Sequence, residues 1–311
     1  MLKMAQIEKK DKYIGTLVGG CCGDVLGSQT EGMTRSQIKE RFGDLVLNMP
    51  DKKLYTDDTE MTLVLARHLV KNVQIKTEEL HKEYAAEITY KGYSSETRKI
   101  LGFFKGENCI NVEWGNSDCD GSVMRIAPLG LRKLETGGLI GEVRNAIYYT
   151  HGKSADSHAS AFLHCKLIRS LIDSRFKKRE EYFAYILGHA RKHSPLWAKL
   201  NLVKFCLKEP SISSITEELL GGENIFQIKA IDALCCAYYS FFRFYDDPVR
   251  AVCFSASMGG DTDTIAKITG DLCGALYGTG WIPERWHGME GQEELTSLAI
   301  KLFEMNEKKA S

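Results

Sequence analysis

Two short segments, widely separated in the chain, interleave aspartate with threonine: Thr56-Asp57-Asp58-Thr59 and Gly259-Gly260-Asp261-Thr262-Asp263-Thr264. Each opens an apolar-periodic segment, where acidic and hydroxyl side chains serve as helix caps. Asp57 with Glu60 three residues on fits a capping box, so capping accounts for either motif alone. Together they ask for more. Four carboxylates at the mouth of one packed bundle repel unless cations lie between them. Two divalent ions balance four carboxylates, and a donor set made of oxygens alone selects hard ions, Mg²⁺ or Mn²⁺, over zinc. A pair of such ions orients a diol or a phosphate and acidifies water. The pattern points to a binuclear hydrolytic or transfer site.

A third element is Asp118-Cys119-Asp120-Gly121-Ser122-Val123-Met124-Arg125. Backbone N–H groups at a glycine turn leading into a helix cradle anions, and Ser122 adds a hydroxyl. Glu31, in Ser28-Gln29-Thr30-Glu31-Gly32-Met33, hangs at the end of a glycine-rich helix; alone it reads as a solvated loop residue. His151 precedes a long helix that Ser154 caps, and alone it reads as a core or cap residue. The remaining histidines (His68, His81, His158, His164, His189, His193, His287) read as structural or surface, although His189 and His193 share an i, i+4 spacing.

The elements that must position these groups are helical. Met61, Val64, Leu65, His68 and Leu69 mark one face of a helix beginning near Asp57, and Ala161, Leu163, Leu167, Ile168 and Leu171 mark another. Further helical periodicity runs through 76–91, 122–134, 139–149, 178–192, 196–208, 226–242, 246–257, 263–277 and 290–307, with breakers at Pro50, Gly115 to Gly121, Pro195, Pro210, Gly221-Gly222, Pro248 and Pro283. Strand alternation is absent, so the expected class is all-α. Gly15, Gly19, Gly23 and Gly27 step along one helical face, and Gly270, Gly274 and Gly278 do the same near the other end. Each glycine costs a helix about 1 kcal/mol relative to alanine. Such a stripe is tolerable only where another backbone packs unusually close.

The chain carries 41 Lys+Arg against 41 Asp+Glu, which leaves no surplus charge for gripping a polyanion, and 43% hydrophobic residues, enough for a sizeable core. The 10 cysteines include no CxxC pair, and the opening MLKMAQIEKKDKYIG has charges where a signal peptide has an apolar run. Buried free thiols in a cytoplasmic protein with no membrane span and no nucleic-acid partner are the expectation. No linker divides the chain, and residues 1–311 are expected to form one domain with its core at about 12–305.

The order of motifs resembles the ADP-ribosylglycohydrolase family, which includes ADP-ribosyl-acceptor hydrolases and dinitrogenase reductase-activating glycohydrolase. The resemblance rests on GTLVGGCCGDVLGSQTEGM (15–33), YTDDTEM (55–61), DGSVMRIAPLGL (120–131), THGKSADSHASA (150–161) and GGDTDTIAKITGDLCGALYG (259–278). It implies an orthogonal all-α fold around a binuclear Mg²⁺ or Mn²⁺ centre. Thr56, Asp57 and Asp58 match the family's first metal motif; Asp261, Asp263 and Thr264 match the second. Glu31 matches a glutamate implicated in catalysis and in closing over substrate. Gly121, Ser122 and His151 match segments that contact ADP-ribose, and Trp114 offers an aromatic face for adenine.

What the resemblance implies in mechanism is hydrolysis of the bond between ADP-ribose and an acceptor, on a protein side chain or a small conjugate. Water, deprotonated with help from Asp57 or Glu31, attacks the anomeric carbon through an oxocarbenium-like transition state that nearby carboxylates favour. One departure stands out: many family members have Gly-Asn-Gly before the Met-Arg pair, and this chain has Cys119-Asp120-Gly121-Ser122. A negative charge there is unfavourable beside a diphosphate unless it faces away. Two rivals are an all-α prenyl-diphosphate enzyme, whose Asp clusters usually repeat across helical turns, and a non-catalytic ADP-ribose-binding or structural member of the same fold. The expected assembly is a monomer.

Overall fold

Glycine spacing in the N-terminal segment sets the architecture. The computed structural model describes residues 7–89, 91–109, 111–208 and 226–308. In it, the helix Lys9–Gly27 lies antiparallel to the helix Thr262–Tyr277, backbone against backbone. A methyl group on Gly23 would stand 2.0 Å from the Ala266 carbonyl oxygen, one on Gly270 2.0 Å from that of Gly19, and one on Gly274 1.7 Å from that of Gly15. No side chain fits there. The two stripes read from the sequence are the two halves of this contact.

The other elements wrap the pair. Helix Gln292–Lys308 packs against Lys9–Gly27 and against Asp57–Lys71, while Ala155–Ile172, Ala230–Arg243 and Pro248–Ser255 pack on Thr262–Tyr277. The apolar faces anticipated from spacing are buried: Met61, Val64, Leu65 and Leu69 on one helix, Leu163, Leu167, Ile168 and Leu171 on another. Ser154 caps its helix by accepting the Ser157 N–H at 3.2 Å. Among the described residues the only β-type pairing is an isolated bridge between Cys119 and Lys229. No described helix is long and apolar enough to cross a membrane, and the ten cysteines are free thiols.

Three expectations change. The helix anticipated over 122–134 is a 3₁₀ turn at Asp120–Ser122 and a short helix at Ala127–Gly130. Pro128 has no N–H to continue an earlier turn, which is why the helix starts beside it. The Asp57–Glu60 capping box does not form. Thr56 is the cap, its hydroxyl accepting the Asp58 N–H at 3.3 Å, while Glu60 accepts from Thr89 and the Tyr93 hydroxyl. Helices Arg35–Phe42 and Ser95–Phe104 were not anticipated; the first buries only Ile38 and so lacks an apolar stripe, although Thr34 and Gln37 make a full capping box. Pro210 and Gly221-Gly222, read as breakers, lie outside the described residues.

Candidate active site

Because the central helices are antiparallel, the C-terminal end of Lys9–Gly27 meets the N-terminal end of Thr262–Tyr277. A methyl group on Gly27 would lie 2.6 Å from the Asp263 Cα. This contact carries the second Asp-Thr motif to the end of the first helix. One turn earlier, the fully buried Asp24 brings in the other motif: its carboxylate accepts the Thr56 N–H at 3.0 Å and the Thr59 N–H at 3.0 Å. The free N–H groups at the start of Asp57–Lys71 thus find their acceptor on another helix. Two helix N-termini converge, and their partial positive charge favours carboxylates.

Asp24 was missed in the sequence because it interrupts the apolar and glycine run of a buried helix. That interruption was the signal: an isolated carboxylate with no neighbouring cation in such a run needs a buried donor to hold it.

Glycine conformation shapes the approach to Asp261. Gly259 and Gly260 adopt φ of +83° and +78°, which side-chain-bearing residues rarely do. The loop they form pairs with the turn that follows the first helix: the Gly32 N–H donates to the Gly260 carbonyl at 2.9 Å, and the Gly260 N–H donates to the Met33 carbonyl at 3.0 Å. This pairing holds Glu31 beside the second motif. Glu31 itself is exposed at the rim.

The turn at 115–122 is strapped along the end of the helix Thr136–His151. Gly115 donates to the Tyr149 carbonyl at 2.7 Å, and Lys153 donates to the Gly115 carbonyl at 2.8 Å. Ser122 is buried, and Gly121 lies against the imidazole of His151. His151 is buried too, its Nε2 at 3.1 Å from the Cys119 Sγ. Burial, and then the charge of Arg125, keeps this imidazole well below its ordinary pKa, and burial raises the Cys119 thiol. The pair is neutral. Arg125 is also buried, donating to the Thr150 hydroxyl at 2.7 Å and lying over the Tyr84 ring. Half-buried Trp114 packs edge-on against Phe103, Phe104 and Tyr149, beside the strap.

Carboxylates dominate the centre. Asp58 is 2%, Asp263 5% and Asp120 6% exposed, with Asp261 and Thr264 buried beside them. Burial and Asp24 push Asp57 up to about 7. Burial, then Asp263 and Asp24, hold Asp58 well above the usual carboxylate range. Asp261 is raised by burial and by Asp120, and Asp263 by burial, Asp261 and Glu31. Glu31 is raised by the desolvation its surroundings impose and by Asp24.

The donor chemistry fits a hard cation. All the groups are oxygens, and Asp58 Oδ2, Asp120 Oδ2 and Asp263 Oδ1 are buried with no hydrogen-bond partner. Such orphaned acceptors are costly unless something positive meets them. Among the described residues no three His, Cys, Asp or Glu side chains stand close enough together to hold a metal ion between them. A cavity of about 340 Å³ lies elsewhere, lined by Arg132, Lys166, Arg169 and Tyr185, and shares no residue with this centre.

Residues 5–311 match the family model described as ADP-ribosylglycohydrolase. Human ADP-ribosylhydrolase ARH3 is 24% identical over 350 residues, covering 96% of this chain and 94% of its own. An uncharacterised protein of Archaeoglobus fulgidus is 28% identical over 318 residues, covering 96% and 97% respectively. A solved structure titled ADP-ribosylglycohydrolase-related protein complex aligns with a TM-score of 0.73 at 22% identity, covering 96% of this chain and 99% of that one. That likeness concerns the fold.

Proposed function

The chain belongs to the ADP-ribosylglycohydrolase family, and from that premise we propose that it is a divalent-metal-dependent hydrolase of ADP-ribose conjugates. The bond cleaved joins the distal ribose of ADP-ribose to an N- or O-linked acceptor, on a protein side chain or a small molecule, and ADP-ribose is released. The observation that carries this reading is the meeting of two Asp-Thr motifs whose buried oxygens lack partners.

Thr56, Asp57, Asp58, Asp261, Asp263 and Thr264 would hold two ions, Mg²⁺ or Mn²⁺. When bound, such ions supply positive charge that orients ribose hydroxyls and acidifies water. The remaining steps belong to the chain's own groups. Asp57 accepts a proton from the attacking water. The water oxygen bonds to the anomeric carbon as the bond to the acceptor breaks, and that electron pair leaves with the acceptor. Glu31, exposed at the rim and raised above its ordinary value, returns a proton to the departing group. The surrounding carboxylates favour the positive charge that develops on the ribose. Gly121 and Ser122 at the turn, with His151 behind them, bind the phosphates and ribose, and the aromatic cluster at Trp114 offers a wall for adenine.

The test is to incubate the protein with Mg²⁺ and with arginine-linked and serine-linked ADP-ribosylated substrates, and to measure free ADP-ribose. Metal-dependent release is the expected result, lost on Asp263→Ala. Binding without release from any of these substrates would convert the reading into a non-catalytic ADP-ribose binder. Full turnover by Asp263→Ala would refute the site.

A further inference from the structure

The sequence departs from the family run at Asp120, and the fold gives that aspartate a position its place in the chain did not suggest. The backbone there is fixed from both sides. The Asp120 N–H donates to the Ile228 carbonyl at 2.8 Å, and the Ala230 N–H donates to the Asp118 carbonyl at 3.0 Å. The Asp120 carbonyl then accepts the N–H groups of Val123 at 2.7 Å and Met124 at 3.0 Å. With its main chain pinned, the side chain is directed inward, where it is 6% exposed. Asp261, and with it Asp58 and Asp263, are the carboxylates that act on its carboxyl. Its Oδ2 has no partner.

Two buried carboxylates that act on each other need a positive species between them. A hydroxyl or an amide at this position would donate a hydrogen bond to Asp261; a carboxylate competes with it. We propose that Asp120 is a further carboxylate ligand of the cation centre, facing away from the phosphate-binding side of its turn. The inference rests on reading the Asp-Thr motifs as a metal site. It resolves the charge conflict posed by the sequence: Asp120 lies against Asp261, and the neighbouring Gly121 and Ser122 are left to meet an anionic substrate. The orphaned oxygens of Asp58, Asp263 and Asp120 are the independent sign of a missing positive partner. A centre with this extra charge binds divalent ions more tightly than one with asparagine in its place, since hard ions are held chiefly by carboxylate charge.

Metal binding without substrate is the measurement. Protein freed of metal with a chelator is titrated with Mn²⁺ and Mg²⁺ by calorimetry, and its melting temperature is recorded with and without each ion. Asp120→Asn keeps the shape and removes the charge. It should weaken Mn²⁺ affinity about tenfold or more, equivalent to about 1.4 kcal/mol, while raising the melting temperature of the metal-free protein by relieving the pair. Should Asp120→Asn fail to fold, Asp120→Ser is read by the same two measurements. Asp120→Glu, which restores the charge, should bind Mn²⁺ more tightly than Asp120→Asn. Wild-type affinity in Asp120→Asn, with binding lost in Asp263→Ala, overturns the role of Asp120 and leaves the metal site standing. A lower metal-free melting temperature with unchanged affinity assigns Asp120 a structural role and also overturns it. No saturable binding by the wild-type protein overturns both.

Discussion

A single methyl group at Gly27 should damage the fold and the proposed centre together. In Gly27→Ala the new Cβ would stand 2.3 Å from the Thr262 carbonyl oxygen and 2.6 Å from the Asp263 Cα. These are backbone atoms, so no side-chain rotation relieves the clash. Ordinary contact requires the two central helices to part locally by about 1 Å, and a gap of that size forfeits about a quarter to a half of the dispersion energy of each contact it opens. Overpacking of this kind costs about 1–3 kcal/mol. Alanine's better helix propensity returns about 1 kcal/mol, so the net loss is up to about 2 kcal/mol. For a domain of this size the melting temperature should fall by several degrees, at about 2–4 °C per kcal/mol.

Two further substitutions separate packing from the site. Gly274→Ala meets the Gly15 carbonyl at 1.7 Å, yet it lies about 16 Å along the helix from Asp263. It should lower the melting temperature while leaving Mn²⁺ affinity close to wild type, whereas Gly27→Ala displaces Asp263 and weakens both. Gly141 is exposed on a helix with no atom within 4 Å of its added Cβ, and Gly141→Ala should stabilise by about 1 kcal/mol. Thermal denaturation and calorimetry read all three. If Gly27→Ala and Gly141→Ala shift the melting temperature in the same direction, the reasoning from close approach is wrong.

Stability of the metal-free protein should fall as pH rises. The folded state holds a proton on Asp57 up to about 7 against an ordinary value of 3.8, so between those limits unfolding releases a proton and stability drops with rising pH. A metal ion favours the ionised carboxylates; melting temperatures at about pH 5.5 and about pH 8 should therefore show a larger Mg²⁺-induced increase at the higher pH, and equal increases would contradict this. Asp24→Asn leaves the Thr56 and Thr59 N–H groups one shared amide oxygen, and should cost about 1–3 kcal/mol in denaturant titration together with metal affinity. An undiminished midpoint and affinity would remove Asp24 from its positioning role. Lys267 donates to Asp271 at 2.8 Å in the core, with both side chains almost wholly buried. Lys267→Met should cost about 3–5 kcal/mol by stranding that carboxylate, and adding Asp271→Leu should recover part of the loss; no recovery would mean that His164, at 3.2 Å from Asp271, depends on the same charge.

The spacing of glycine made the central helix contact legible, because close backbone approach removes side chains at every turn and nothing else in a soluble helix does so at such cost. The two Asp-Thr motifs were legible for a similar reason: their residue types are ordinary as caps and unusual as a pair. Asp120 was harder to place. The chain order shows that it sits in a glycine turn, but the direction of its carboxylate is decided by main-chain hydrogen bonds to residues 228 and 230, more than a hundred positions away. At Pro128 the apolar spacing alone predicts a helix over 122–134, whereas the missing N–H limits it to a 3₁₀ turn at Asp120–Ser122 and a short helix at Ala127–Gly130. Such differences arise where periodicity and hydrogen-bond bookkeeping disagree, and at Pro128 the bookkeeping prevailed.

The same bookkeeping separates scaffold carboxylates from functional ones. Glu60 is buried and acidic, but Thr89 and Tyr93 satisfy its oxygens. Asp24 lies at the heart of the centre, and its oxygens accept two backbone N–H groups from the helix it anchors. Asp271 leaves one oxygen unmatched, but its other oxygen meets Lys267 and His164. Asp58, Asp120 and Asp263 differ: each has a buried oxygen with no partner, and the charges acting on them come from other carboxylates. Folding gains nothing from that arrangement by itself, since each such group costs about 1–3 kcal/mol in desolvation. The rigid glycine contact beneath holds the crowd together, and unsatisfied carboxylates on a rigid support are what the proposed cation site calls for.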